Sequence, residues 1–210
     1  MQIRTSIIIL GACLFTAAPA MADGFYADGG FSVTSMNNDQ AFDPLFDPEF
    51  ESLGAHFGKE FSKYLSIEGE ALIGLKGQSI SYDSIELVLG SDPEQYSVID
   101  YDSELSLSFI LGAYGRATLP VTSRLSLFGR LGYAKVEVDR RTIVLESILD
   151  SDDDPLETLV ANTLSDSGLA YGVGATFDVT DKVYIRGDYS RYDLEYDELD
   201  NVMISAGIRF

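Results

Sequence analysis

The last ten residues, 201 to 210, read NVMISAGIRF. Apolar side chains occupy every second position of this segment, at Val202, Ile204, Ala206, Ile208 and Phe210. A period of two indicates a β-strand whose two faces meet different environments. Ten residues also suit a strand that crosses a bilayer, which needs about 9 to 11 residues and a paired edge. The segment therefore predicts a transmembrane strand that closes a barrel by pairing with the first strand.

Three segments elsewhere in the chain resemble one another, beginning at Ser62, Ser123 and Asp181. Each has a polar residue, then a base, then alternating apolar positions with a glycine on the apolar side. This pattern is typical of a tight turn that starts a strand. Strands traced outward from the three turns number eight, at about 25–34, 53–61, 65–73, 105–119, 125–133, 171–179, 183–189 and 201–210. The fold predicted is all-β, an eight-stranded antiparallel up-and-down barrel with three short turns and four long loops.

Alternation also assigns the two faces of each strand. In the fourth strand it places Leu105, Leu107, Phe109 and Leu111 on the outward face. An aromatic girdle is expected near the short turns, from Phe25, Phe61, Tyr64, Phe177 and Phe210.

The first 22 residues have the features of a secretory signal peptide. One base, Arg4, precedes an apolar run that is too short to span a bilayer, and small residues follow at Ala20 and Ala22. We place cleavage after Ala22, with Ala20 as the alternative, so that residues 23–210 form one barrel domain. A lipoprotein box ending at Cys13 is disfavoured because it would leave an apolar core of only residues 7–9. Cleavage after Ala22 removes Cys13, the only cysteine, and with it any disulfide or cysteine-based metal site.

Charge is distributed unevenly along the chain, which has a formal net charge of -20. The four predicted long loops hold 24 of the 34 acidic residues, with Arg140 and Arg141 as their only bases. Such a surface repels phosphate backbones, so we expect no nucleic-acid partner. Contact with anionic lipopolysaccharide would require bridging divalent cations.

Inward positions of the predicted barrel carry many charged and polar side chains, namely His56, Glu60, Glu68, Glu70, Tyr114, Arg116, Arg130, Tyr184, Arg186, Asp188 and Arg209. A barrel of eight strands is only wide enough for side chains to fill it. Buried charges must then pair with one another. We predict a lumen charge network of Glu68, Glu70, Arg116, Arg130, Arg186 and Asp188, and no catalytic, cofactor or metal site.

His56 is the only histidine and the natural candidate for catalysis. Its predicted position, inside the lumen and near a short turn, disfavours that role. The run from Asp150 to Asp154 has the spacing that opens a calcium loop, but Pro155 stands where that loop needs glycine. We interpret it as a solvated acidic hairpin tip.

The second and third long loops contain strand-like segments on either side of a turn, within residues 84–100 and 142–164. They predict hairpins that extend the neighbouring strands beyond the membrane. The edge of such a hairpin can bind a partner by strand addition.

Taken together, the eight strands, the signal peptide and the ending at Phe210 resemble the small bacterial outer-membrane barrels of the OmpA-like and OmpX-like group. The resemblance implies Sec export to the Gram-negative outer membrane, and recognition of Val202, Ile204, Ala206, Ile208 and Phe210 by the barrel assembly machinery. It also favours a non-enzymatic surface role, with adhesion or ligand contact through the hairpins. The alternatives are a small porin-like channel and, less favoured, a lipid-modifying enzyme. The extracellular partner is not identified.

Overall fold

A computed structural model describes residues 24–37, 48–88, 96–148, 156–195 and 198–210. The predicted signal peptide and the acidic run at Asp150 to Asp154 lie outside these ranges. Within these ranges the chain forms nine strands: β1 (Phe25–Asn37), β2 (Glu49–Ser62), β3 (Leu65–Gly74), β4 (Gln78–Val88), β5 (Tyr96–Pro120), β6 (Leu125–Ile148), β7 (Leu156–Asp178), β8 (Val183–Asp193) and β9 (Glu198–Arg209). No helix within the described residues is long and apolar enough to cross a membrane.

These nine strands form a closed barrel of eight positions. Both β3 and β4 pair with β5, so they are two halves of one barrel strand, separated at residues 75–77. Every neighbouring pair is antiparallel, and β9 closes the ring against β1 with Tyr26 opposite Arg209 and Val33 opposite Val202. The predicted eight-stranded up-and-down barrel and its closing strand are confirmed.

Three short turns lie at one end of the barrel, which we call the turn end, and they share one hydrogen-bonding pattern. Ser62 Oγ accepts bonds from the backbone amides of Tyr64 and Leu65. Thr122 Oγ1 does the same for the amides two and three residues on, and so does Thr180 Oγ1. Such a side chain satisfies amides that the turn would leave free. Both chain termini of the barrel are also here, where the Phe210 amide donates to the Phe25 carbonyl at 2.9 Å. The opposite end is called the loop end below.

A bulge in β5 corrects the predicted faces of this strand. The pairing with β6 shifts between Leu107 and Phe109, because Ser108 is an extra residue on β5. A bulge reverses the alternation of faces. Leu107 is therefore buried inside the barrel and Leu105 packs against the same core, although alternation alone assigned both to the outward face. Below the bulge the prediction holds: Ile110 is buried and Leu111 is exposed.

Beyond the barrel, four strands continue as a projecting sheet. It consists of β4 and of residues 96–107 of β5, 138–148 of β6 and 156–164 of β7, which lie on the loop-end side of the Leu107–Val138–Leu164 row. The lengths of β5, β6 and β7, 25, 24 and 23 residues, are roughly twice what a bilayer needs. Both hairpins predicted from the loop sequences are present as paired strands.

Outward side chains on the barrel wall are apolar and exposed, as the alternation predicts. Near the turn end they include the aromatic residues Phe57, Phe61, Tyr64 and Phe177. Three of the five predicted girdle residues, Phe61, Tyr64 and Phe177, are exposed, and Phe25 and Phe210 are half-buried.

Candidate functional site

The barrel interior consists of two layers. Charged and tyrosine side chains fill the half next to the turn end, and apolar side chains fill the half next to the loop end. The first layer contains every ion pair of the described chain in which both side chains are enclosed. We call it the charge network.

Glu68 is the centre of the charge network. Arg186 binds both of its carboxylate oxygens, with Nη1 to Oε2 at 2.7 Å and Nη2 to Oε1 at 3.0 Å. Arg130 Nη1 donates to Oε1 at 3.1 Å and Arg116 Nη1 to Oε2 at 3.2 Å. The Tyr26 hydroxyl adds a bond of 2.8 Å. Three guanidinium groups thus share one carboxylate, and each needs further acceptors.

Arg130 finds those acceptors on two other strands. Its Nη2 donates to Glu70 Oε2 on β3 and lies 3.3 Å from Asp188 Oδ2 on β8. Its Nε donates to Ser190 Oγ at 3.2 Å. The guanidinium also lies 4.4 Å from the centre of the Tyr114 ring. A single side chain on β6 therefore ties together strands from opposite sides of the barrel.

Arg116 has fewer polar partners and more aromatic ones. Nη2 donates to Thr176 Oγ1 at 3.2 Å, while the guanidinium lies 3.9 Å from the Phe128 ring centre and 5.4 Å from that of Tyr26. A delocalised cation over an aromatic face is attracted by the ring quadrupole. These aromatic contacts offset part of the desolvation cost of Arg116, which has Glu68 as its only carboxylate partner among the described residues.

His56 completes the network on the side of β1 and β2. Its Nδ1 lies 2.6 Å from Asp28 Oδ1 and its Nε2 lies 3.0 Å from Glu70 Oε2. An ionised carboxylate only accepts hydrogen bonds, so both ring nitrogens must carry a proton for both contacts to form. The imidazole is therefore held as a cation.

With His56 charged, the network is neutral. Its four carboxylates are Asp28, Glu68, Glu70 and Asp188, and its four cations are His56, Arg116, Arg130 and Arg186. Hydroxyls of Tyr114 and Tyr192 donate to Glu70 Oε1, each at 2.8 Å, and that of Tyr184 donates to Asp28 Oδ2 at 2.9 Å. Buried charges persist when they are paired and hydrogen-bonded. Each of the eight charges here has at least one partner of opposite charge, and Arg116 Nε is the network's one buried nitrogen without a hydrogen bond among the described residues.

The structure brings together all six residues that the sequence assigned to the network. Sequence reasoning missed Asp28 and placed His56 in the lumen without giving it a partner. The sequence could have indicated Asp28, because alternation places it on the inward face of β1. In the pairing of β1 with β2 it lies directly opposite His56. Glu60 and Arg209, also predicted inward, lie at the mouth of the turn end, where they are partly exposed and 3.7 Å apart.

The apolar layer was not predicted. It includes Phe50, Leu72, Ile110, Val136, Tyr192 and Leu199, with side chains from β2, β3, β5, β6, β8 and β9. Each of these six is at most 2% exposed. This layer of enclosed apolar side chains lies between the charge network and the loop end.

His56 is the residue of the charge network that was considered for catalysis. His56 is 2% exposed and both its nitrogens are occupied. No group of three or more potential metal ligands occurs among the residues that the structure describes.

On β9, Val202 and Ile204 are outward and exposed, as is Ala206, whereas Ile208 and Phe210 are half-buried near the turn end. Their recognition by an assembly machinery stays a prediction.

Comparison with known proteins identifies the family of the chain. A family model described as outer membrane protein beta-barrel domain matches residues 6–210. No curated protein sequence matches the chain significantly.

Several solved structures resemble this one. Ail, the attachment invasion locus protein of Yersinia pestis, is 18% identical, with a TM-score of 0.52 over 90% of this chain and 100% of Ail. Neisserial surface protein A is 12% identical, with a TM-score of 0.52 over 90% and 98%. OprG from Pseudomonas aeruginosa is 12% identical, with a TM-score of 0.51 over 90% and 96%. At these identities the likeness shows the fold. One further Ail structure contains the heparin analogue sucrose octasulfate.

Proposed function

Since the chain belongs to the outer membrane protein beta-barrel domain family, we propose that it is a non-enzymatic surface protein with a closed lumen, which binds an extracellular partner along the edge of its projecting sheet. The protein is an integral β-barrel of the Gram-negative outer membrane. In such barrels the short turns lie on the periplasmic side, so the loop end and the projecting sheet face outward from the cell.

One observation carries the proposal: among the residues that the structure describes, β7 has a neighbouring strand on one side only in the projecting sheet. It pairs with β6 up to Leu156, whereas its pairing with β8 begins at Leu169. The backbone groups on the other side of residues 156–164 are therefore available to a further strand. A free edge of this kind is a template for strand addition.

The side chains of this edge favour pairing. Residues 158–165 contain no charged residue, proline or glycine, although the chain carries a net charge of -20. Leu159, Val160 and Leu164 are 63%, 44% and 54% exposed. Charges and prolines are the usual means of blocking an edge strand, and this segment lacks them. We infer that a partner covers it.

Acidic loops set the charge of that partner. The long loops repel polyanions, so the heparin analogue seen with Ail is a poor model for the ligand of this chain. An extended polypeptide with apolar alternation and flanking bases fits the edge and its surroundings. Contact with lipopolysaccharide would again need divalent cations between the two anionic surfaces.

A solute channel is disfavoured by the two-layered interior, because each layer spans the lumen with enclosed side chains. Planar-bilayer recordings test this alternative: stable, uniform conductance from the wild-type protein would contradict a closed lumen. An enzyme is disfavoured because the only histidine is enclosed by Asp28 and Glu70.

The edge can be tested by panning a phage-displayed peptide library against the folded protein in lipid nanodiscs. We expect enrichment of extended peptides with alternating apolar residues and basic flanks. Leu159→Lys, which places a charge on the edge strand, should abolish the enrichment. Ile143→Lys is the matched control, because Ile143 lies opposite Leu159 on β6, a strand with neighbours on both sides. Equal loss in both variants, or none in either, would count against strand addition.

A further inference from the structure

Charged residues at the turn end are sorted into two groups by their distance from the barrel axis. The inner group lies at the mouth of the lumen, on inward-facing positions. There Arg209 Nη1 donates to Asp178 Oδ1 at 2.6 Å, and its Nε lies 3.7 Å from Glu60 Oε1. The same guanidinium lies 4.7 Å from the Tyr184 ring centre. The mouth thus holds one base between two carboxylates, so the charge of Arg209 is compensated and one negative charge remains.

The outer group consists of Lys59, Lys63, Arg124 and Lys182, which we call the basic ring. Each short turn contributes one base, and Lys59 comes from an outward position of β2. Within the described residues, none of the four forms an ion pair, since the carboxylates of Glu60 and Asp178 are held by Arg209. Asp181 is the only other described acid in these turns. The circumference of the turn end is therefore net positive.

Aromatic side chains accompany two members of the basic ring. Lys59 Nζ lies 4.9 Å from the centre of the Phe25 ring, which stacks on Phe57 at 5.5 Å. Lys63 Nζ lies 4.8 Å from the centre of the Tyr64 ring. Phe57 and Tyr64 are exposed on the outer wall. Aromatic rings with a base beside them are typical of the boundary between hydrocarbon and headgroups, where long basic side chains extend to the polar side.

This positive circumference opposes the charge of the rest of the protein. The chain has a net charge of -20, and most of its acidic residues belong to the loops at the other end. A general need for solubility does not explain four uncompensated bases at the edge of the membrane-spanning wall. Bases at such an edge attract anionic lipid headgroups, and the attraction falls off within a Debye length.

We propose that the basic ring binds the headgroups of anionic phospholipids in the periplasmic leaflet of the outer membrane. The position of the barrel across the membrane and its orientation would then be set by its two ends. The basic ring lies among phospholipid headgroups at one end, and the acidic loops lie outside the cell at the other. The ligand class is a phospholipid with net negative charge, bound at the outer wall by the ammonium groups of three lysines and the guanidinium group of Arg124.

Spin-label electron paramagnetic resonance on the folded protein in phosphatidylcholine bilayers provides the test. We compare the association of spin-labelled phosphatidylglycerol with that of spin-labelled phosphatidylcholine. The wild-type protein should prefer phosphatidylglycerol by roughly threefold or more at low salt, and the preference should shrink as salt is added. The variant with Lys59, Lys63, Arg124 and Lys182 all changed to Gln should show a ratio near one.

A second variant controls for the number of bases removed. Lys76, Lys135, Arg140 and Arg141, all toward the loop end, are changed to Gln together, and this variant should keep the wild-type preference. Heat-modifiable gel migration checks that both variants fold. The proposal is overturned if the wild-type protein shows no preference, if the basic-ring variant retains it, or if both variants lose it equally. Binding of soluble polyglutamate to the basic ring without any lipid preference would also overturn it, in favour of an acidic periplasmic protein.

Discussion

Arg130 and Arg140 lie on the same face of the same strand, β6, and yet they meet opposite environments. Arg130 is 3% exposed and contacts carboxylates of Glu68, Glu70 and Asp188. Arg140 lies in the projecting sheet and is exposed. Between them, Val136 and Val138 belong to the apolar layer. One strand thus passes from a charge network through an apolar layer into water. How much a side chain on its inward face contributes to stability therefore depends on its position along the strand.

The largest contrast is expected from removing the two charges in turn. Arg130→Met removes one of the four cations, so the enclosed network keeps one uncompensated negative charge. This should lower the free energy of unfolding by about 3 to 5 kcal/mol. Arg140→Met removes a solvated charge and should change it by less than about 0.5 kcal/mol. Urea unfolding of the protein in lipid vesicles measures both. Similar midpoints for the two variants would mean that the lumen charges are solvated, which would favour a water-filled pore.

The apolar layer offers a comparison across the barrel wall. Ile110→Ala should cost about 2 to 4 kcal/mol, because Ile110 is fully buried in the lumen and its removal leaves a cavity. Leu111→Ala, at the adjacent outward position, should cost less than about 1.5 kcal/mol, because lipid can fill the space. The same unfolding assay applies. A larger loss for Leu111 would mean that the two faces of β5 have been assigned in reverse.

Coupling between Arg130 and Glu70 sharpens the first comparison. If their ion pair accounts for much of the loss, Glu70→Gln combined with Arg130→Met should recover part of it, on the order of 1 to 2 kcal/mol relative to the sum of the single changes. Recovery should be incomplete, since Glu70 also accepts bonds from His56, Tyr114 and Tyr192. Strict additivity in a double-mutant cycle would exclude this coupling.

The smallest effect is expected in the projecting sheet, at Asp139. Its carboxylate accepts bonds from Thr163 Oγ1 on β7 and from Ser108 Oγ at the β5 bulge, each at 2.7 Å. These hydroxyl donors, that of Thr163 first, lower the pKa of Asp139. A carboxylate with a lowered folded-state pKa contributes its stability above the unfolded value and loses it as pH falls through the folded value.

Acidification should therefore lower the protection of amides near the β5–β6–β7 contacts of Asp139, when exchange is compared with the intrinsic rate at each pH. Asp139→Asn should reproduce part of this loss of protection at neutral pH. Hydrogen exchange followed by mass spectrometry can compare peptides of the projecting sheet with those of the lumen wall. The global unfolding midpoint of Asp139→Asn should hardly move. If this variant destabilised the lumen wall as much as the projecting sheet, the two regions would not be independent.

Much of this architecture follows from residue alternation, since one face of each strand contacts lipid and must be apolar. The short turns, the closing strand and the six charged residues of the network were all located in this way. Alternation fails where two neighbouring residues are both apolar, as at Leu72 and Ile73 or at Ile110 and Leu111, because either could face outward. Leu72 and Ile110 of the apolar layer occupy such positions. The other four named residues of the layer were missed because they lie beyond the ends of the predicted strands, namely Phe50, Val136, Tyr192 and Leu199.

The bulge at Ser108 could not be predicted for a related reason. One inserted residue reverses the faces of everything before it. The apolar alternation nevertheless runs through the bulge without a break, at Leu105, Leu107 and Phe109, so the sequence gives no sign of the extra residue. Asp28 was missed because the first strand was interpreted only for its apolar face. The partners of an inward residue can be assigned only when the register between strands is known. In this chain the register places Asp28 opposite His56.

Closure of the barrel by β1 and β9 also has a consequence for the order of folding steps. The Phe210 amide bonds to the Phe25 carbonyl, so the contact that closes the barrel links the first and last described strands, which are far apart in sequence. Loop-closure entropy makes such contacts late in folding. Until the residues of β9 arrive, β1 keeps one edge exposed and prone to pair with other chains. The folding barrel is therefore prone to aggregate through β1 until β9 pairs with that strand.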